Sequence, residues 1–201
     1  MKEELIENNI NFRHLDTIFF GGGTPSLMPL KLVESIIDIS KKIFGFKKDI
    51  EITLEANPSS YESKKFIKFK QLGINRISIG AQSLNNKYLE FLGRLHNIED
   101  VKIALNNASE IFDNISVDLI YAFHGQKIDD WTNELEIFLN TYNLQHLSLY
   151  QLTIEEGTKF FKDHKNGIIK SIDNDKAAEF YDVSNKVLRD FRFIKYEVSN
   201  Y

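Results

Sequence analysis

The chain has 201 residues, 42% hydrophobic and 27% charged, a balance suited to one globular domain that buries roughly 70% of its extended-chain surface. A net charge of −4 argues against a general nucleic-acid binder, whose footprint is basic. The chain contains no cysteine, which excludes disulfides, zinc–thiolate sites and thiolate ligation of an iron–sulfur cluster by these residues. No apolar run is long enough to span a bilayer, and Met1-Lys2-Glu3-Glu4 lacks the apolar core of a secretory leader, so the cytoplasm is the expected compartment.

Residues 1–14 read as the end of a helix or a polar lead-in, with Leu5, Ile6, Ile10 and Phe12 as its apolar anchors. Thr17–Phe20 is the first expected strand. It runs into Gly21-Gly22-Gly23-Thr24, where a ligand could reach bare backbone N–H groups; taken alone the glycines are equally well a tight turn. Pro29 suits the first position of a helix. That helix carries a stripe of Leu32, Ile36, Ile39 and Ile43, widened by Leu30, Val33 and Ile37, and Gly45 stops it. Ile50–Glu55 is the second strand, with Ile50, Ile52 and Leu54 alternating against Glu51, Thr53 and Glu55. Pro58 ends it. Ser59 and Glu62 have capping-box spacing, and the helix they open carries Phe66, Ile67 and Phe69 before Gly73.

Arg76–Gly80 is the third strand, followed by Gln82 and a short helix with Tyr88, Leu89 and Leu92. Val101, Ala104, Leu105, Ala108, Ile111 and Phe112 then share one helical face. Ile115–Tyr121 is the fourth strand. Its Ile115, Val117, Leu119 and Tyr121 face one way and Ser116, Asp118 and Ile120 the other. A helix over 130–142 packs Trp131, Leu135, Phe138 and Leu139, and His146–Leu152 is the fifth strand. Residues 155–170 are expected to hold one short helix. Residues 174–191 are expected to be helical, with Ala177, Ala178, Tyr181, Leu188 and Phe191 inward. Tyr196–Val198 reads as a last strand. Strand then helix, repeated about every 25–35 residues, is the pattern of parallel βαβ crossovers. Five or six such units predict an α/β fold, an incomplete (β/α) barrel with a parallel sheet, over one domain of residues 1–201. Ligands bind such sheets at the C-terminal strand ends.

At those ends lie Gly21–Thr24, Glu55 with Asn57 and Pro58, Gln82 with Arg94 one short helix later, Asp118 on the barrel side of strand four, and Gln151 and Thr153. Singly, each has a plain structural reading: Glu55 as a solvated strand end, Arg94 as a cation at a helix end, Asp118 as a nearby cap. Their convergence on one rim is what points to a site.

The segments Phe20-Gly-Gly-Gly-Thr-Pro-Ser26, Glu55-Ala-Asn-Pro58, Gly73-Ile-Asn-Arg-Ile-Ser-Ile-Gly-Ala-Gln-Ser83, Ser116-Val-Asp-Leu-Ile-Tyr121, His146-Leu-Ser-Leu-Tyr-Gln-Leu152 and Tyr196-Glu-Val-Ser-Asn-Tyr201 carry a resemblance. In order and spacing they resemble the radical S-adenosylmethionine family of oxygen-independent coproporphyrinogen III oxidases, and most closely its HemW-type haem-chaperone branch. The run Gln151–Thr158 looks like that branch as well. The resemblance implies that Gly22, Gly23 and Thr24 hold the amino acid end of S-adenosylmethionine and that Glu55 accepts hydrogen bonds from it. It implies that Gln82, Arg94 and Asp118 line the second half of the pocket, with Thr153 near the adenine. No residue is assigned a catalytic or metal-binding role.

There are departures from the family pattern. The family's Cys-x-x-x-Cys-x-x-Cys loop, which holds a [4Fe–4S] cluster, has no counterpart among these residues. The chain therefore reads as an internal piece that also lacks the family's C-terminal domain. The family's Gly-Leu-Pro-Gly-Gln turn reads Ala122-Phe-His-Gly-Gln126 here, and a lone loop histidine such as His124 is more often solvated than ligating. The implied cofactors are S-adenosylmethionine and haem; the [4Fe–4S] cluster of the family finds no ligands in this chain. The implied partners are small molecules, with neither nucleic acid nor a membrane span. Haem transfer or coproporphyrinogen III oxidation is the family role, and radical chemistry is not expected of this chain alone. The alternatives are a non-catalytic module that binds S-adenosylmethionine or haem, a partner for a separate chain carrying the cysteines, and a chain without activity.

Overall fold

The structure, a computed structural model, describes residues 14–201. The expected lead-in over residues 1–14 therefore lies, except for His14, outside the described residues. Five strands form one parallel sheet in the order β1-β2-β3-β4-β5: β1 (Leu15–Phe20), β2 (Phe46–Ala56), β3 (Arg76–Gln82), β4 (Asn114–Tyr121) and β5 (His146–Gln151). Parallel neighbours need crossovers, and a doubly wound sheet would reverse direction at a switch point. The sequential order here leaves the helices on one face and gives the expected half-barrel.

The connecting helices are α1 (Leu30–Phe44), α2 (Ser60–Ser63), α3 (Phe66–Gln71), α4 (Asn86–Phe91), α5 (Ile98–Ile111), α6 (Ile128–Thr141), α7 (Lys159–Lys165) and α8 (Asn174–Asp190). Their starts follow from local chemistry. Asn97 accepts from the Glu99 and Asp100 N–H groups while the Asp100 carboxylate accepts from Asn97 N–H, a closed capping box for α5. Thr158 caps α7 and Asp173 caps α8 in the same sense.

The apolar face of every strand lies under these helices. Ile52, Leu54, Ile77, Ile79, Val117, Leu119 and Leu147 are all 3% exposed or less, and they meet Val33, Phe66, Phe69, Val101, Leu105 and Leu135. The expected face of α5 is the one that packs: Val101, Ala104, Leu105 and Ala108 are buried. Trp131 on α6 is wholly buried. Its indole N–H donates to Ser184 Oγ on α8 at 2.8 Å, and that hydroxyl donates to Phe180 O at 2.7 Å. The last two long helices are thus keyed to each other by a satisfied polar contact inside apolar packing.

Three expectations need correction. On α1 the buried residues are Val33 and Ile37, whereas Leu32 and Ile39 are about half exposed, at 47% and 52%. One amphipathic stripe was wide enough to be placed a third of a turn away, because neighbouring rows of the helix are both apolar. On α8 the inward row is Ala177, Phe180, Ser184, Val187 and Leu188, and Ala178 faces solvent. Tyr196–Val198 is not a strand. The segment turns, with Tyr196 N–H donating to Asn200 O at 3.1 Å, and it is residues 199–201 beyond it that pair antiparallel with β5, around a Ser148–Asn200 bridge. Tyr196 and Val198 have strand-forming side chains but bury neither face, being 64% and 76% exposed.

Replacing Trp131 by Phe should remove the indole donor and leave a small cavity. We expect it to lower the unfolding free energy by about 1–3 kcal/mol, read as a lower urea midpoint at unchanged slope.

Candidate functional site

The period-two alternation that buries one side of each strand puts polar groups on the other. Glu51, Glu55, Arg76, Ser78, Ser116, Asp118, His146, Ser148 and Tyr150 line one concave cavity of about 380 Å³, with Phe19 at one side and Tyr196 and Asn200 at the other. These residues stack in layers along the strands. Near the N-terminal ends, His146 Nδ1 lies 2.7 Å from Ser116 Oγ, and Nε2 lies 2.7 Å from the Tyr196 hydroxyl. Burial and the nearby Arg76 charge lower the His146 pKa against the opposing pull of Glu51, which favours the neutral ring. Arg76 also donates to Thr53 Oγ1 at 3.4 Å. Ser78, in register with Ser116, has its Oγ 3.5 Å from Asp118 Oδ2 one row farther on.

At the C-terminal end the glycine loop meets β2. Gly22 N–H donates to Glu55 Oε2 at 2.9 Å, so the first and second strands share one carboxylate. Gly22 and Gly23 have φ of +81° and +61°, a region that residues with a side chain rarely occupy, which is why two glycines stand there. The loop is braced from below. The buried Glu62 carboxylate accepts from Ser26 Oγ, from Asn57 N–H at 2.9 Å and from Ser59 Oγ at 3.1 Å. Asn57 Nδ2 in turn reaches Thr24 Oγ1 at 3.4 Å. Gly22 and Thr24 line a second cavity of about 450 Å³, against Ile18, Phe20 and Met28, which meets the concave one at Phe19.

The expected site residues therefore fall into two groups. Gly22 is hydrogen bonded to Glu55 and shares the adjoining cavity with Thr24, Gly23 is in the same loop, and Asp118 lies on the same concave face as Glu55. Gln82 follows a β-bulge in β3 and has φ of +67°, and its Nε2 folds back over Gly80, which has no Cβ to obstruct it. Arg94 follows α4, and neither a hydrogen bond nor an ion pair joins it to Glu55 or Asp118. Thr153 is exposed past β5 and donates to Gln151 O at 3.3 Å. Glu51, Arg76, Ser78, His146 and Ser148 were not singled out as site residues. The signal was available: polar residues recur at every second position of β2, β3, β4 and β5.

Among the described residues there is no group of three or more His, Asp or Glu that could hold a metal ion. The chain has no thiolate for an iron–sulfur cluster either, so these residues do not fit that group. No described helix is long and apolar enough to cross a membrane.

Burial, with the Glu55 charge adding to it, raises the Asp118 pKa against the opposing pull of Ser148, Arg76 and Ser78. The folded chain then holds this proton to higher pH than the unfolded chain does. The stability that the group contributes is full below the ordinary carboxylate range and falls as pH rises through the raised value. Asp118→Asn keeps an acceptor and removes the charge. We expect it to raise the thermal midpoint near neutral pH, with the gain vanishing below about pH 3.5.

Comparison with known proteins bears on the same architecture. The family model of the radical SAM superfamily matches residues 1–137. A protein of Mus musculus named radical S-adenosyl methionine domain-containing protein 1, mitochondrial, is 40% identical over 190 residues, covering 94% of this chain and 43% of its own. Heme chaperone HemW of Buchnera aphidicola (subsp. Acyrthosiphon pisum) is 38% identical over 192 residues, covering 96% of this chain and 50% of its own. The chain thus spans about half the length of these relatives. Among solved structures, Escherichia coli coproporphyrinogen III oxidase (HemN) superposes with a TM-score of 0.78 at 22% identity, over 94% of this chain and 43% of that one, a likeness of fold. Sheet order and sequence agree, and the chain belongs to the radical SAM superfamily.

Proposed function

We propose that this protein binds S-adenosylmethionine at the rim of the half-barrel and takes part in haem binding and transfer, a reading supported by its HemW relatives, which are named heme chaperones. The observation that carries the first part is the Gly22 N–H to Glu55 contact at 2.9 Å, which sets backbone donors and a carboxylate side by side. The ligand is a zwitterion with a sulfonium charge. Its ammonium wants the remaining lone pairs of Glu55, and its carboxylate wants the Gly23 N–H and the Thr24 hydroxyl, joined by the Gly22 N–H once the ammonium displaces it from Glu55. Asp118, Glu51 and Glu55 make the concave cavity net negative against Arg76 alone, which favours a cationic guest. In this reading Gln82 and Arg94 complete the second half of the pocket and Thr153 stands beside the adenine. When bound, S-adenosylmethionine brings a cationic sulfur flanked by carbon electrophiles.

Reductive chemistry is not assigned to these residues, because no thiolate here can hold the [4Fe–4S] cluster. Cysteines for that cluster would have to come from outside these residues, as from a complementing chain. A family role in coproporphyrinogen III oxidation is the second reading, favoured by the HemN-like fold alone.

Calorimetric titration with S-adenosylmethionine tests the site. We expect saturable binding that Glu55→Gln weakens about tenfold, the loss of one charge-assisted contact. Titration with hemin, followed by its Soret band, tests the haem part. Absence of heat with S-adenosylmethionine would remove the first part, and absence of a Soret change would remove the second.

A further inference from the structure

The sheet order places α5 in the crossover from β3 to β4 and α6 in the crossover from β4 to β5. α5 packs against α2 and α3, and α6 packs against α8. Between α5 and α6 a groove of about 570 Å³ stays open, and it shares no lining residue with the concave cavity. Its walls are two helical stripes. α5 contributes Ile98, Val101, Lys102 and Leu105, at i, i+3, i+4 and i+7. α6 contributes Asp130, Asn133, Glu134, Ile137, Phe138 and Thr141, a row along nearly the whole helix. At the rise of an α-helix that row is about 17 Å long, roughly three turns. The groove is a trough running along α6.

Its floor is apolar and its rim is acidic. Val101 and Leu105 are wholly buried and Phe138 nearly so, while Ile137 stands 67% exposed at the lip. Phe138 and Tyr142 pack their rings 5.2 Å apart. α6 carries Asp129, Asp130, Glu134 and Glu136 and neither lysine nor arginine. Among the described residues Lys102 is the one cation in the lining, and the Glu99 carboxylate already holds its ammonium at 2.8 Å. Glu134 accepts from Ser83 and Leu84 with Oε1 alone, which leaves Oε2 without a partner among the described residues. Tyr88, also in the lining, reports the field: burial raises its pKa, and the charges of Glu134 and Asp130 raise it further.

Such a trough selects a guest by shape and by charge. An amphipathic helix lays its apolar stripe into a groove of this kind at i, i+3, i+4 and i+7 spacing. Unneutralised carboxylates along one wall call for lysine or arginine beside that stripe. A second copy of this chain is a poorer fit, because the chain carries a net charge of −4 and like-charged copies repel. We propose that the groove between α5 and α6 docks a basic amphipathic helix of a partner protein, with Ile137 and Phe138 against its apolar stripe and Asp130 and Glu134 facing its cations.

Fluorescence anisotropy with the full chain tests this. The probe is a labelled leucine–lysine peptide of about four turns, with leucines at i, i+3, i+4 and i+7. We expect saturable binding that weakens with added salt, and none of a leucine–glutamate peptide of the same pattern. Ile137→Glu should weaken the leucine–lysine peptide about tenfold or more, as loss of a central anchor does. Asp130→Lys should weaken it too and flatten the salt dependence. Ile103→Glu, on α5 but outside the groove, adds the same charge as Ile137→Glu and should bind the peptide as the parent does. Ile137 and Ile103 are both exposed, so the thermal midpoint of each variant should stay at the parental value. Parental affinity in Ile137→Glu, equal binding of a leucine–lysine peptide scrambled out of helical spacing, or no binding by the parent would overturn the proposal. Self-association of the parent chain that Ile137→Glu abolishes would overturn it in favour of a second copy.

Discussion

The rim of the half-barrel depends on one buried carboxylate. Glu62 is 4% exposed, and an ion so placed is tolerable only if its oxygens are hydrogen bonded. Glu62 accepts hydrogen bonds from the Ser26 and Ser59 hydroxyls and from the Asn57 backbone N–H. Those three residues belong to the loop after β1, the cap of α2 and the exit of β2. Lys65 Nζ, 3.1 Å from Ser26 O, supports the same corner from the next turn. The glycines at φ +81° and +61° are therefore not a slack hinge. They are held at the point where Glu55 can accept from Gly22.

A second outer helix does the same for the third rim loop. Glu134 on α6 accepts from Leu84 N–H at 2.7 Å and lies 3.4 Å from Ser83 Oγ, just past the bulge that turns Gln82 back over the sheet. Burial raises its pKa, and the two donors oppose that rise. In both places a helix on the apolar side reaches around a strand end and fixes the loop from behind. The face toward the cavity stays free for a ligand. A rim built in this way keeps its polar groups in place without spending the Glu55 or Asp118 carboxylates on structure alone.

The concave face itself is a consequence of strand geometry. Helices cover one side of the sheet, so the side chains at i and i+2 on the other side must find water, each other or a guest. Glu51, Arg76, Ser116, His146 and Tyr196 do so near the N-terminal strand ends, where Ser116, His146 and Tyr196 form a continuous hydrogen-bonded chain. Asp118 lies one row farther along β4, opposite Ser148, and Glu55 lies near the C-terminal end of its own strand. Glu55, Ser78, Ser116 and His146 stand in one register row, so the cavity is polarised across the sheet, with its histidine on β5 three strands away from Glu55 and the glycine loop.

The sequence by itself determined the parallel order, the strand boundaries to within a few residues, the apolar faces of α5 and α6, and the glycine loop as one wall of the rim. These are local matters: alternation, helical period and the left-handed freedom of glycine are written in neighbouring residues. Its missing cysteines also determined that the iron–sulfur cluster of the family has no ligand among these residues. Only the tertiary structure decided that Glu62, expected as a simple capping residue, would bridge two rim loops. It likewise decided that Val33 and Ile37 rather than Leu32 and Ile39 would be buried, and that Tyr196 would meet His146 instead of joining a strand. Each of those outcomes depends on which element lies opposite, across 36 residues for Ser26 and Glu62 and 50 for His146 and Tyr196. A periodic pattern fixes which side of an element is apolar, but it does not fix what that side will face.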